Sequence, residues 1–258
     1  MEHWQAATAA FFVYAAVVAV LPRGLSPARR RRALAGVAGG VLVLAGSWAL
    51  PADGIANVWL LPPAALLIGY WTSGLLFVAP MPRAERVLAR IDEILAIDAI
   101  AARTPRLAAE VLELAYVGVY PLIPIALALA LHGGVPADRF WTVILVTDYV
   151  CFGMLPWIQT RPPRAVGCAA PWRSSWRAVN LRVVDASSVQ VNTFPSGHAA
   201  EAVAAALLVS GSPAPVVALM WLAAAAISAG AVFGRYHYAA DAIAGWAVAL
   251  LVYCSFRL

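Results

Sequence analysis

Two polar segments, FPSGH at residues 194–198 and RYHYAAD at residues 235–241, enclose an apolar stretch that is long enough for a helical hairpin. The first segment is typical of a tight turn that opens a helix, where backbone N–H groups without partners favour an anion. In the second segment, His237 and Asp241 are four residues apart, so the carboxylate can fix the tautomer of the imidazole. Arg235 adds a permanent positive charge. A returning hairpin would bring both segments to one face of a membrane.

The composition is that of a membrane protein. The chain has 258 residues, of which 63% are hydrophobic, and its mean hydropathy is +0.80. Soluble domains contain roughly 45–50% apolar residues, so a wholly soluble protein is excluded. All 18 basic residues are arginine and the net charge is +5, which favours anionic lipid headgroups rather than nucleic acid as partners. The three cysteines fit neither a disulfide framework nor a metal site.

Apolar periodicity predicts an all-α polytopic bundle of about eight membrane-spanning helices. The predicted spans are residues 6–22, 33–52, 58–80, 108–132, 139–158, 197–210, 215–232 and 238–256. No small-residue cleavage site follows the first span, so we expect a helix there rather than a signal peptide.

Two segments between the spans have a different character. Over residues 82–98, apolar residues recur at steps of three and four, while Asp92, Glu93 and three arginines take the other face. This pattern predicts an amphipathic helix on the bilayer surface, and a helix that packs against a soluble partner is the alternative. Residues 158–196 form the longest polar segment and carry five arginines. A loop of this length in a compact bundle is usually functional, so we expect the active-site loop here.

The arginines are distributed unevenly across the membrane. Sixteen of the 18 fall in the loops at 23–32, 81–107, 158–196 and 233–237, which share one side if there are eight spans. The positive-inside rule assigns that side to the cytoplasm. We therefore expect a multi-pass protein of a bacterial-type inner membrane with a cytoplasmic active-site face. An error of one span would make that face extracytoplasmic.

Three motifs follow one another in a characteristic order. They are TRPPR at 160–164, PSGH at 195–198, and RYH at 235–237 with Asp241. In these motifs, and in the long loop and the hairpin that separate them, the chain resembles the type 2 phosphatidic acid phosphatase superfamily, which shares its catalytic core with vanadium haloperoxidases. The resemblance covers about residues 58–256. It implies a six-helix core within residues 58–258 and a two-helix N-terminal addition over residues 1–57.

The resemblance implies phosphoryl transfer through a phosphohistidine, with no metal and no cofactor. His237 would attack phosphorus, Asp241 would orient and charge-stabilise it, and His198 would protonate the leaving group and later activate water. The phosphate would be held by Arg161, Arg164, Arg235, Ser196 and the amide of Gly197.

Two features depart from the fullest form of the family signature. The position of an upstream lysine is Met154 here, so Arg164 would take its place. Only Tyr236 separates Arg235 from His237, whereas the full signature has five residues between them. The shorter form resembles the branch that includes inositol phosphorylceramide synthases, and Arg235 then need not be the usual phosphate ligand.

Three further acidic residues are candidates for roles near these motifs. Glu201 follows His198 by three residues, so it could stabilise the protonated imidazole, bind a substrate hydroxyl or pair with an arginine. Glu113 is expected to pair with a loop arginine rather than to act in catalysis. Asp148 precedes Arg161 by thirteen residues, roughly 20 Å along a continuous helix at ~1.5 Å per residue, so we expect a helix-to-helix hydrogen bond away from the phosphate.

The predicted function is that of an integral-membrane lipid phosphatase acting on a lipid phosphomonoester or diphosphate. The first alternative is a lipid phosphotransferase that moves a phosphorylated headgroup between lipids or to a polyol. The second is a non-catalytic transporter or scaffold with an anion site, although the sequence shows no inverted repeat of the kind that transporters often carry.

Overall fold

A computed structural model of the protein describes residues 1–21, 24–167 and 172–256. This part of the chain is helical, with a single isolated β-bridge between Thr160 and Asn192. Its α-helices are α1 (His3–Val20), α2 (Pro27–Ala49), α3 (Leu61–Leu75), α4 (Pro82–Ile94), α5 (Ile97–Arg103), α6 (Arg106–Val117), α7 (Val119–His132), α8 (Ala137–Met154), α9 (Ser175–Ser187), α10 (Gly197–Leu208), α11 (Ala214–Phe233) and α12 (Ala239–Ser255). A π-helix (Ala56–Leu60) leads into α3, and a 3₁₀-helix (Pro163–Val166) follows α8.

The helices confirm the predicted all-α membrane bundle. Four of them are long and apolar enough to cross a membrane, namely α1, α2, the π-helix together with α3, and α11. The pair α6 and α7 would be a fifth, bent by 62°. The apolar helices α10 and α12 are shorter. The count of eight spans therefore stays a prediction.

Two predicted segments differ from the observed elements. The span expected at 108–132 is broken at Gly118, because Pro121 and Pro124 lack the N–H groups that would continue the ladder from α6 into α7. The loop expected at 158–196 contains α9, whose first turn is capped by the Ser174 hydroxyl accepting from Arg177 N at 3.1 Å. A serine cap of this kind is a helix-start signal that could have revealed α9 from the sequence.

Helix α10 lies at the centre of the bundle, where it packs against α7, α8, α11 and α12. Its alanines are buried, so neighbouring helices approach it closely. On α12, a β-carbon added to Gly245 would lie 2.6 Å from the backbone oxygen of Ser196. This contact fixes the start of α12 against the start of α10. The PSGH and RYH motifs therefore meet at one end of the bundle.

The predicted amphipathic helix is α4, and it ends at Ile94 rather than at residue 98 because Ala96 has a φ of 52°. Its exposed apolar side chains include Val87 and Ile94, at 61% and 69% exposure, as a bilayer surface requires. The expectation that Asp92 shares the polar face with Glu93 is wrong. Asp92 is 3% exposed, because its carboxylate is turned towards the RYH motif.

Candidate active site

A cavity of about 420 Å³ lies where the three motifs meet. Its polar end is lined by Arg164, Gly197, His198, Tyr236 and His237. Beyond this end the walls are mainly apolar and aromatic. They include Leu66, Tyr70, Tyr116, Val119, Tyr120, Ile123, Leu127, Trp141 and Phe152. The cavity therefore joins a polar site at one end of the bundle to an apolar space between the helices.

His237 and Asp241 are in contact, as their spacing predicts. His237 Nδ1 lies 3.3 Å from Asp241 Oδ2, and the same carboxylate oxygen accepts from Tyr238 N at 2.8 Å. Asp241 is fully buried and His237 is 6% exposed. The backbone N–H donor holds the carboxylate in place, so Asp241 fixes the orientation of the imidazole. The other ring nitrogen, Nε2, is left for chemistry in the cavity.

His198 faces the same cavity from the first turn of α10. Its ring centroid lies 6.3 Å from that of His237, and the ring stacks on Tyr116 at 5.3 Å with an interplanar angle of 12°. Tyr116 in turn stacks on Tyr236 at 4.1 Å. This column of rings keeps the His198 imidazole beside His237, so one phosphate group can reach both.

Ser196 and Gly197 have different surroundings. The Ser196 hydroxyl accepts from Ala199 N at 3.4 Å, and the Ser196 backbone donates to Asp241 O at 2.9 Å. Ser196 is fully buried and does not line the cavity, so its hydroxyl caps α10. The prediction that this hydroxyl holds the phosphate does not fit that arrangement. Gly197 does line the cavity, at a helix start where N–H groups lack intrahelical partners.

Of the three arginines predicted to hold the phosphate, Arg164 is the one that lines the cavity. Its guanidinium carbon lies 5.4 Å from the centre of the Tyr236 ring, and its backbone N–H donates to Arg235 O at 3.1 Å. Arg177 lies over the same ring at 5.5 Å. Arg177 comes from α9, which is why the sequence did not assign it to the site.

Arg161 lies away from the cavity. Its Nε and Nη2 atoms donate to the two carboxylate oxygens of Glu85 on α4, at 2.9 and 2.8 Å, and its side chain is 45% exposed. These hydrogen bonds hold the pKa of Glu85 below its ordinary value. The prediction that Arg161 holds the phosphate therefore does not match its position. Its donors face a carboxylate that the sequence did not connect to this motif.

Arg235 is also held by α4. The side chain is 2% exposed and donates to Asp92 Oδ2 at 2.8 Å, and a second contact reaches Asp98 at 3.5 Å. Asp92 Oδ1 accepts from Ala239 N at 2.9 Å, so the same carboxylate caps α12. Burial raises the pKa of Asp92 above its ordinary value. Arg235 thus joins α4 to the start of α12 and, contrary to prediction, does not line the cavity.

Glu113 is a hub of hydrogen bonds behind the cavity, which confirms the expected pairing with a loop arginine. The buried carboxylate accepts from Arg177 Nη1 at 2.9 Å, from Asn180 Nδ2 at 2.7 Å and from Tyr236 Oη at 2.7 Å. Trp172 Nε1 donates to it at 2.9 Å. Burial raises the pKa of Tyr236 above its ordinary value, so the phenol stays protonated as a donor.

Glu201 and Asp148 both line the cavity. Glu201 makes no ion pair with any residue in the described ranges, so the alternative of an arginine partner is not observed. Asp148 lies closer to the second motif than its spacing from Arg161 predicts. Its Oδ1 atom is 3.2 Å from the place that a β-carbon on Gly197 would take. The predicted separation of Asp148 and Arg161 assumes one continuous helix between them. That assumption fails because α8 ends at Met154 and the chain turns before Arg161.

The chain was compared with known families and proteins. The model of the PAP2 superfamily matches residues 124–257, slightly more than half of the sequence. No curated protein and no solved structure gives a significant match. The matched range contains all three motifs, so the resemblance to type 2 phosphatidic acid phosphatases is confirmed. The chain belongs to the PAP2 superfamily.

Proposed function

We propose that the protein is an integral-membrane phosphatase that hydrolyses a lipid phosphomonoester or diphosphate through a phosphohistidine. Family membership implies phosphatase-type activity on phosphoesters. One observation carries the finer proposal: His237, paired with Asp241, and His198 border the polar end of a cavity whose other walls are apolar. A lipid phosphate has the same two parts, an anionic head and an apolar chain.

The two histidines divide the chemistry between them. Because His237 Nδ1 contacts Asp241, the Nε2 atom is the nucleophile and the buried carboxylate stabilises the charged ring after attack. His198 gives a proton to the leaving oxygen as the bond to phosphorus breaks. In the second step His198 takes a proton from water, whose oxygen attacks phosphorus and releases phosphate from His237.

The phosphate charge is balanced by groups at the same end of the cavity. Arg164 supplies a guanidinium, and the N-terminus of α10 at Gly197 supplies backbone N–H groups with a favourable dipole. Such preorganised donors stabilise the charge that develops on the equatorial oxygens. Arg177 adds a second guanidinium near the same Tyr236 ring.

The apolar walls support a lipid as substrate. They run from the histidines to Leu127 and Trp141, and the Trp141 indole donates to Val58 O at 2.7 Å. The cavity volume of about 420 Å³ falls in the range of ligand pockets, roughly 300–1,000 Å³. An alkyl or prenyl chain can occupy the space between the helices while its phosphate lies between His198 and His237.

Phosphate release by the purified full-length protein tests this function. Phosphatidic acid, phosphatidylglycerophosphate and a polyprenyl diphosphate in detergent micelles are the substrates, with EDTA present. We expect inorganic phosphate from at least one of them, at the rate seen without EDTA, because the proposed steps use only side chains and amides of this chain. Absence of release from all three lipids would exclude the phosphatase.

Two arginine variants separate the phosphate ligand from its neighbour. Arg164→Ala is expected to raise KM for the lipid phosphate at least tenfold, because a charge-assisted hydrogen bond contributes about 1.5–3 kcal/mol. Arg161→Ala removes a guanidinium that is bonded to Glu85, so KM should change less than about threefold. Steady-state kinetics on the same lipid compares them. Equal losses in the two variants would contradict the assignment.

We further propose that the motif end of the bundle faces the cytoplasm. Arg29, from the run of four arginines, donates to Gly74 O at 2.9 Å, and Gln159 beside the first motif accepts from Val78 N at 2.6 Å. These contacts support a common side for the two basic segments. In a cysteine-free background, Asp185→Cys should react with an impermeant thiol reagent only after the cells are permeabilised. Labelling of intact cells would reverse the orientation.

A further inference from the structure

The proposed hydrolysis leaves unused two acidic side chains that face the cavity from adjacent helices. Asp148, on α8, is 1% exposed, and its Oδ1 atom lies against Gly197, 3.2 Å from the place of a β-carbon there. Glu201, on α10, follows His198 by one helical turn. Both line the cavity. Together they form a carboxyl pair beside the acid–base histidine.

This carboxyl pair has no partner within the described parts of the chain. Asp148 Oδ2 is buried without a hydrogen bond, and neither carboxyl group forms an ion pair there. A buried acceptor without a hydrogen bond destabilises the fold, and more so if it is charged. A purely structural Asp148 would bond a neighbouring helix. Asp148 lines the cavity and has no such bond, which indicates that a ligand supplies the missing donors.

The chemistry of the pair limits what that ligand can be. A phosphate would be repelled by two carboxyl groups, and an acyl chain has no donors. Carboxyl oxygens accept hydrogen bonds, and a protonated carboxyl group also donates one. A hydroxyl group, which donates and accepts, matches such a pair. We propose that Asp148 and Glu201 form a subsite for the hydroxyl groups of a polyol bound next to the reacting phosphorus.

The position of the carboxyl pair gives the polyol a place in the reaction. This inference rests on the proposed function, in which His198 protonates the leaving oxygen. The alcohol on that oxygen then lies beside His198, where Asp148 and Glu201 are. An acceptor polyol can enter the same place: its oxygen bonds to phosphorus, the bond from phosphorus to His237 Nε2 breaks, and the hydroxyl proton passes to His198. That histidine had lost its proton to the first leaving group, so the step is balanced.

An experiment with two arms tests the subsite. It distinguishes a polyol that enters as the acceptor from a polyol that leaves as the alcohol of the substrate. In the acceptor arm, the purified protein receives phosphatidic acid in mixed micelles with glycerol, 1-propanol or ethanolamine, and phosphorylated alcohol and free phosphate are measured. In the leaving-group arm, glycerol 3-phosphate is compared with propyl phosphate as substrate. We expect a preference for glycerol over propanol of at least tenfold in one arm or both.

Asp148→Asn and Glu201→Gln are expected to lower that preference at least tenfold. The matched controls are Asp185→Asn and Glu93→Gln, which change exposed carboxylates outside the cavity. These two variants should retain the preference for glycerol over propanol. Thermal unfolding adds a readout that activity does not supply. Because Asp148→Asn replaces an oxygen that is buried without a hydrogen bond, its melting temperature should equal or exceed that of the wild type, whereas a purely structural aspartate would give a lower one.

The outcomes are distinct. The subsite is overturned if both variants keep the preference for glycerol, if Asp148→Asn melts at a lower temperature, or if ethanolamine is the preferred acceptor, which would indicate a cation site. If phosphate is released but neither arm shows a preference for glycerol over propanol, the polyol subsite is overturned and the proposed phosphatase function is retained. If neither phosphate nor phosphorylated alcohol is formed from any donor, the proposed function fails and the subsite fails with it.

Discussion

His237→Gln is expected to abolish phosphate release from every lipid that the wild-type protein hydrolyses, with a fall in rate of at least about 1,000-fold. Glutamine keeps a neutral polar side chain of similar length but provides no nucleophilic nitrogen. With a lipid labelled on phosphorus, the quenched wild-type protein should carry an acid-labile, base-stable label on His237. The variant should carry none, because no bond to phosphorus can form at this position.

Two further substitutions show whether the loss is specific. Asp241→Asn keeps the nucleophile but removes the charge that orients His237, so the label should form about 100-fold more slowly. His132→Gln, at the C-terminal end of α7 and outside the cavity lining, should match the wild type. A His237→Gln variant that retains more than about one hundredth of the rate would show that another group attacks phosphorus.

Gly245→Ala is expected to reduce both the stability and the activity of the protein, although Gly245 is not one of the proposed catalytic residues. A β-carbon there would lie 2.6 Å from Ser196 O, a backbone atom that cannot turn away. Helices α10 and α12 must then separate where Ser196 N donates to Asp241 O. Overpacking of this kind destabilises by about 1–3 kcal/mol. The shift also changes the distance from His198 to His237, so we expect kcat to fall at least tenfold.

The matched control is Gly46→Ala, since Gly46 also lies inside a helix but has no heavy atom within 4 Å of the added carbon. Alanine has the higher helix propensity, so this variant should be as stable as the wild type or more stable by up to about 1 kcal/mol. Thermal melts and phosphate release from one lipid measure both variants. A similar effect of the two substitutions would mean that glycine content, rather than the contact between α10 and α12, sets the stability.

The sequence predicts best those parts of the site that depend on local spacing. His237 and Asp241 are four residues apart and meet as expected, and His198 follows from its place at a helix start. The partners of the arginines in the motifs are harder to predict. Arg161 and Arg235 are paired with carboxylates of α4, which is distant in the chain, and apolar periodicity contains no information on which charges meet across helices.

Distances between residues far apart in the chain are also hard to predict when the segment between them is not one straight helix. Asp148 is thirteen residues from Arg161, but α8 ends at Met154, so the two are not separated by a continuous helical rise. Helix α9 was hidden within a segment rich in arginine and proline. Arg177, one of the two arginines of α9, therefore had no predicted place beside Tyr236, although the Ser174 cap marks the start of that helix.

The ion pairs of α4 with the first and third motifs determine which part of this protein can be moved into another chain. The family model begins at residue 124, yet Asp92 compensates the buried guanidinium of Arg235, and Glu85 holds Arg161. A fragment or chimera that starts at residue 124 would bury Arg235 without its main counter-charge, a loss of about 3–5 kcal/mol. Domain exchange between relatives must therefore carry α4 along with the three motifs, although none of the proposed catalytic residues lies on α4.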